Sequence, residues 1–314
     1  MKYVLKKTGT LIITLLIVSF LSFLAFSVIP GDAALSKLGT EATREQVEAL
    51  QKEMGLDEPV LVRYGTWLGK FLTGDMGESF SYSMPVKNLI RDKVPVTAAL
   101  TILSFLLILL LSVPLGIFTA QHEGKILDKI LVVLNQIVMS VPGFFIGILL
   151  TYVFGLVLKW FTPGAYVSVS EDFTGFLGYL LAPAVAIALP RAAMGVKMLR
   201  SSVLSQMDAD YVRTAYARGN GKTRVMYHHV LKNALLPVLT FWGMTIADII
   251  ANSIIIEQVF TIPGMGSLLI SSISNRDYPV VQGILVIIAA LVVIINFLVD
   301  MLYGRIDPRI RMKK

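Results

Sequence analysis

Cysteine is absent from the 314 residues and histidine occurs only three times. Disulfides, thiolate metal sites, iron–sulfur clusters and thiol nucleophiles are excluded together, and redox chemistry loses its usual side chains. Charge is the second shortage: Asp, Glu, Lys and Arg make up 16% of the chain, against roughly a quarter in a soluble domain. With 55% hydrophobic residues and a mean hydropathy of +0.72, this composition excludes a soluble enzyme and fits a chain whose solvent is lipid.

Long apolar runs are what the chain has instead. Six of them, each at or above the about 20 residues of a membrane helix, lie at 9–29, 96–120, 130–158, 176–199, 234–256 and 280–302. Six crossings place both termini on one side. If that side is cytoplasmic, the tails, inner loops and inner span ends hold eighteen of the 28 Lys and Arg, as the positive-inside rule requires. The net charge of +7 then reports topology and needs no nucleic acid. The first run, with its basic start, competes with a cleaved signal peptide, but it is longer than the usual hydrophobic region of one, so a retained helix is expected. The third run would measure about 43 Å as one helix, more than a bilayer core, and Pro142-Gly143 interrupts it, so a tilted or broken helix is expected there.

The segment 30–95 is the long hydrophilic stretch and reads as an outer helical cap. Thr43-Arg44-Glu45-Gln46 fits a capping box, followed by the apolar stripe Val47, Leu50 and Met54 and a stop at Gly55. A second helix follows Asp57, with Pro59 in its first turn and Tyr64, Trp67, Leu68 and Phe71 for packing, ending by Gly74. A third is expected from Pro85 to Lys93, because Pro95 disfavours helix at Val94. The expected organisation is a tail and first span at 1–29, the cap at 30–95, a five-helix core at 96–304 and a cytoplasmic tail at 305–314.

Within that core, 201–233 is the longest inner connection. A short amphipathic helix over Asp208 to Arg218 starts with acids and ends with a base and Gly219, both favourable to its dipole. Asn220-Gly221-Lys222-Thr223 makes a turn, a basic helical stretch runs from Arg224 to Asn233, and Pro237 falls in the first turns of the next span. On pattern alone, a protein-docking surface, a lipid-binding face and a solvated loop fit equally. Gly221-Lys222-Thr223 looks like the end of a phosphate-binding loop, but Tyr216 stands where that loop needs glycine and no strand precedes it, so ATP is not expected on this chain.

Tyr211-Val212-Arg213-Thr214-Ala215-Tyr216-Ala217-Arg218-Gly219, continued through His229-Val230-Leu231-Lys232-Asn233-Ala234-Leu235-Leu236-Pro237, resembles the cytoplasmic EAA-type loop of bacterial ABC importer permeases, in their dipeptide/oligopeptide/nickel branch. Ile29-Pro30-Gly31-Asp32, Leu56-Asp57-Glu58-Pro59, Gly74-Asp75-Met76-Gly77-Glu78-Ser79, Asp277-Tyr278-Pro279-Val280-Val281-Gln282 and Asp307-Pro308-Arg309-Ile310-Arg311 are similar to the same branch, so the resemblance covers nearly the whole chain. It implies an all-α polytopic membrane protein of six transmembrane helices, with an extracytoplasmic cap and a cytoplasmic coupling helix docked on a separate ATPase. Tyr211, Arg213, Thr214, Ala215, Ala217 and Gly219 would form the docking surface. Arg213 stands where the broad family has glutamate, and Leu236-Pro237 comes later than in sugar or amino-acid permeases, so the docking role carries over and a glutamate-specific contact does not.

The implied partners are a second homologous permease subunit, two ATP-binding cassette subunits holding ATP and Mg, an extracytoplasmic substrate-binding protein and the bilayer of the bacterial inner membrane. The chain itself would hold no cofactor or metal and catalyse no reaction. Its expected cargo is short peptides, with nickel or a metal chelate as the alternative for the same machinery, and an ion-coupled secondary transporter as the alternative from another class. Two further groups of residues stand out. Asp248 lies near the middle of the fifth run with Asn252 on the same face, and lining of a translocation path and an interhelical hydrogen bond explain them equally well. Glu257, Phe260, Pro263, Gly264 and Gly266 mark the outer loop between the last two spans, either a gate or docking turn for delivered substrate or a simple connection.

Overall fold

The computed structural model describes residues 2–28, 43–53 and 58–306. Met54, the expected stop at Gly55, Leu56-Asp57, Ile29-Pro30-Gly31-Asp32 and Asp307-Pro308-Arg309-Ile310-Arg311 lie outside the described residues. The fold is all-α, with no strand among the described residues beyond an isolated bridge between Glu78 and Pro85. In chain order the helices are α1 (Lys2–Val28), α2 (Arg44–Glu53), α3 (Val60–Leu72), α4 (Val86–Gln121), α5 (Ile126–Ser140), α6 (Gly143–Val157), α7 (Phe173–Met207), α8 (Asp210–Ala217), α9 (Lys222–Val259), α10 (Met265–Ser274) and α11 (Tyr278–Ile306). Helices α1, α4, α7, α9 and α11 are each long and apolar enough to cross a membrane, and α5 with α6 makes a sixth span if the bent pair counts as one.

That pair bends by 98°. Val141, pushed into extended backbone by the proline that follows it, ends α5, and Pro142 is the N-cap of α6. Gly143 then passes close to α7, where a Cβ would come within 3.1 Å of the Ala186 carbonyl. Two other prolines act against expectation. Pro95 does not end a helix: α4 runs unbroken from Val86 to Gln121. Val86, Ile90, Val96 and Leu100 make one buried stripe at helical spacing across the proline, and this packing outweighs the local preference at Val94. Pro237 likewise lies well inside α9, which begins fifteen residues earlier at Lys222, so the expected basic helix from Arg224 to Asn233 is the first part of that span, with a π-helical stretch at Val225–Val230. Ser202 Oγ donates to the Ala234 carbonyl at 2.7 Å, next to the Asn233 carbonyl that Pro237 cannot serve.

The chain divides into two compact units. In the first, chiefly Met1–Thr97 with Pro263–Met301, α3 packs on α1 through the expected aromatics. Tyr64 sits edge-on to Phe20 at 5.1 Å and shares a 2.7 Å hydrogen bond with Ser19, while Trp67 contacts Phe23 and Phe71. The capping box forms as expected: Gln46 N donates to Thr43 Oγ1 at 3.4 Å and Thr43 N to Gln46 Oε1 at 2.9 Å. In the second unit, chiefly Ala98–Ile262, α7 is the hub on which α5, α6 and α9 pack. Its buried alanines and Gly195 allow close approach, the Cβ position of Gly195 lying 2.9 Å from Ser112 Cβ.

Candidate functional site

Helix α8 is held between α7 and α9 by short, well-bonded turns. Ala209 N donates to Gln206 O at 3.2 Å, and Tyr211 Oη to Gln206 Oε1 at 2.8 Å, fastening the start of α8 to the end of α7. Its far end is a Schellman stop: Gly219 N donates to Tyr216 O at 2.9 Å, Asn220 N to Ala215 O at 3.4 Å, and Gly219 takes φ +79°. Asn220 Nδ2 adds a bond to the same Ala215 carbonyl at 3.0 Å. The left-handed backbone expected of Gly219 is therefore present. Of the six residues expected to dock a partner, Arg213, Thr214, Ala217 and Gly219 are exposed and Tyr211 is half-buried. Ala215 turns inward with Val212, and the helix lies against the π-helical stretch of α9, so Ala215 seats α8 and does not face outward. Tyr216, exposed at the same surface, belongs with the outward set; the i, i+3 pairing of Val212 with Ala215 is the signal that separates the two faces. The expected inner connection shortens to 208–221, because α7 continues to Met207.

Asp248 finds its partner in Arg191, whose Nη1 lies 3.2 Å from Asp248 Oδ2; the two side chains keep 36% and 49% of their surface exposed, Arg191 first. Asn252 Nδ2 donates to the Asp248 carbonyl at 2.7 Å, one helical turn along α9. Arg191 and Asn252 line a cavity of about 570 Å³ at the α5–α6 bend, with Ser140, Pro142 and Met194. The eighteen inner Lys and Arg counted from the sequence include Arg191 as a span-end residue, but it lies near the middle of α7. A basic residue well inside an apolar run was the available signal.

A second arginine of α7 is bound differently. Arg200 Nε and Nη2 donate to the two carboxylate oxygens of Asp128 at 3.0 and 2.9 Å, and Asp128 also accepts from Gly124 N at 3.0 Å. The Asp128 side chain is 4% exposed.

The turn after α9 is built for packing. Phe260 is buried, with its ring against Phe161 and over Gly147, and its carbonyl accepts from Tyr179 Oη at 2.5 Å. Glu257 is also buried, and its carbonyl accepts from Ile262 N at 2.8 Å across Thr261, which takes φ +55°. These two residues anchor the end of α9. Farther on, in the first unit, Gly264 is the N-cap of α10, whose Met265 N donates to Thr97 Oγ1 at 2.9 Å; Gly264 and Gly266 are buried and Pro263 is half-buried. The same unit joins two quoted segments: the buried Asp277 carboxylate accepts from Ser79 Oγ at 2.5 Å, Phe80 N at 3.1 Å and Ser81 N at 3.2 Å. Such a cradle of donors satisfies both carboxylate oxygens.

Residues 112–312 match the family of binding-protein-dependent transport system inner membrane components, and residues 1–101 match the N-terminal family of the same membrane components. A protein of Brucella abortus that carries the name of a peptide transport system permease is 38% identical over 308 residues, 98% of each chain. The oligopeptide transport system permease protein AppB of Bacillus subtilis is 35% identical over 311 residues, again 98% of each. Among solved structures, a chain of the MetNI methionine ABC transporter in an inward-facing form superposes with a TM-score of 0.57 at 19% identity, covering 70% of this chain and 96% of that one. This last likeness is one of fold.

Proposed function

The chain belongs to the family of binding-protein-dependent transport system inner membrane components, and from that membership we propose that it is the permease half of an ABC importer that moves short peptides into the cytoplasm. The observation that carries the cargo is the 35–38% identity, over almost the full length of both chains, to permeases named for peptide and oligopeptide transport. In this reading the chain is a transport subunit and makes or breaks no bond. A second permease subunit completes the pathway, two ATPase subunits bind ATP and Mg, and a binding protein delivers peptide at the outer face. Both termini are cytoplasmic.

The mechanism follows from how α8 is tied. Closure of the ATPases pushes on the outward residues Arg213, Thr214, Tyr216, Ala217 and Gly219, with Tyr211 at the helix start. Because α8 is bonded to the end of α7 and packed on the start of α9, that push reaches the two helices carrying Arg191 and Asp248. A relative shift of α7 and α9 opens the route to one side and closes it to the other, which is alternating access. Asp248 and Asn252 line this route. Pro263, Gly264 and Gly266 shape the outer turn that receives cargo, and Glu257 and Phe260 hold the end of α9.

Uptake in cells lacking only this chain tests the proposal, with labelled short peptides compared against labelled nickel. Loss of peptide uptake, restored by the wild-type chain, is the expected result. Loss of nickel uptake alone would overturn the peptide cargo.

A further inference from the structure

We propose that the Arg191–Asp248 pair is a binding site for the two charged ends of a free peptide, Arg191 taking the α-carboxylate and Asp248 the α-ammonium; the inference rests on the peptide reading above and names how that route selects its cargo. Four observations meet at this place. Both charges lie within the apolar helices α7 and α9, and both remain between a third and a half exposed. An ion facing hydrocarbon there is costly, so their open sides face water or polar cargo. The contact between them is a single approach of 3.2 Å, which leaves Arg191 able to offer its fork elsewhere. Arg191 also lines a cavity of about 570 Å³ with Asn252 and Ser140 as further polar groups and Pro142, Met194 and Ile255 as apolar wall.

Charge balance then narrows the ligand to a zwitterion, and the peptide reading above makes it a free peptide. A carboxylate that takes both donors of the Arg191 fork draws it from Asp248, and a lone carboxylate within the span is costly. A cargo that also brings a cation restores the balance: one ion pair becomes two, and neither protein charge is stranded. A free peptide is such a zwitterion. A peptide amide or an N-acetyl peptide strands one charge, a divalent cation beside Arg191 is repelled, and a neutral solute leaves the pair shut. The short turns around α8 link α7 and α9, so movement of that helix alters the spacing of the two charges and sets when the peptide is held.

The test uses the complete transporter in proteoliposomes with its binding protein, and reads ATP-driven uptake of labelled trialanine against its C-terminal amide. Each variant is compared with wild type under the same binding protein, so selection by that protein cancels. Arg191→Gln/Asp248→Asn removes both charges together and leaves no lone ion; its acid-to-amide uptake ratio is expected to fall at least tenfold from wild type. Arg191→Lys keeps the ion pair and loses the fork, and a fall of about threefold is expected; this variant carries the test if the double variant does not assemble. An unchanged ratio in the variants that assemble would overturn the site and make the pair a helix-to-helix contact only. Wild-type vesicles that take up neither compound would instead overturn the peptide reading itself.

Discussion

Two arginines nine residues apart on α7 meet aspartates in opposite ways. Arg200 binds both oxygens of an Asp128 that is almost wholly buried and held again by the Gly124 amide. Arg191, which lines a cavity, touches one oxygen of a half-exposed Asp248. The first arrangement is a strut, because two guanidinium donors meet both carboxylate oxygens and the Gly124 amide holds the carboxylate again. The second is poised for exchange, since the charges pair well enough to lie in a membrane helix yet present open faces. One helix thus carries a rigid joint toward its α8 end and a replaceable contact near its middle.

Removing Asp128 sharpens the contrast most. Asp128→Ala leaves Arg200 only the Glu123 carboxylate 3.9 Å away, and the loss of stability should be about 2–3 kcal/mol, below the range for a fully buried pair because Arg200 keeps 24% of its side chain exposed; the thermal midpoint of the purified protein reads it. Arg200→Lys keeps the charge but not the fork, and a loss of about 1 kcal/mol is expected. Asp248→Asn leaves Arg191 without its carboxylate but with its open side toward water, and should cost about 1 kcal/mol, while peptide uptake falls severalfold. Arg191→Lys should move the midpoint least of all, within about 0.5 kcal/mol of wild type. If Arg191→Lys and Arg200→Lys destabilise equally, the two contacts are the same kind of joint and the contrast fails.

How much of this was legible in the sequence depended on the range of the interaction. The capping box at Thr43 and Gln46, the break at Pro142 and the left-handed stop at Gly219 are set by neighbours within a few residues, and each reads directly from the chain. Pro95 was misread because a local preference was weighed without the buried stripe from Val86 to Leu100 that carries the helix through it. Asp248 announced that it needed a partner, but no local pattern says that the partner is Arg191 on another helix. Ser79 and Asp277 lie in separate segments of the chain, and only folding brings the hydroxyl to the carboxylate. On α8 the helix is legible and its outward face only in part, since the small side chain of Ala215 suits a surface contact equally well but shares the buried side with Val212.

The central claim is that α8 passes movement from the ATPases to α7 and α9, and two glycines beside it allow a direct test. A Cβ at either Gly219 or Gly221 would meet open space, but Gly219 has φ +79° and Gly221 has φ −70°. Valine at 219 therefore strains the stop of α8 without a steric clash, and alanine at 221 does not. The decisive measurement is the number of peptides taken up per ATP hydrolysed by the reconstituted complex carrying Gly219→Val or Gly221→Ala. The expected result is an assembled Gly219→Val complex that hydrolyses ATP with uptake at least tenfold below wild type, beside a Gly221→Ala complex close to wild type. Wild-type uptake per ATP in the Gly219→Val complex would contradict the coupling role of α8.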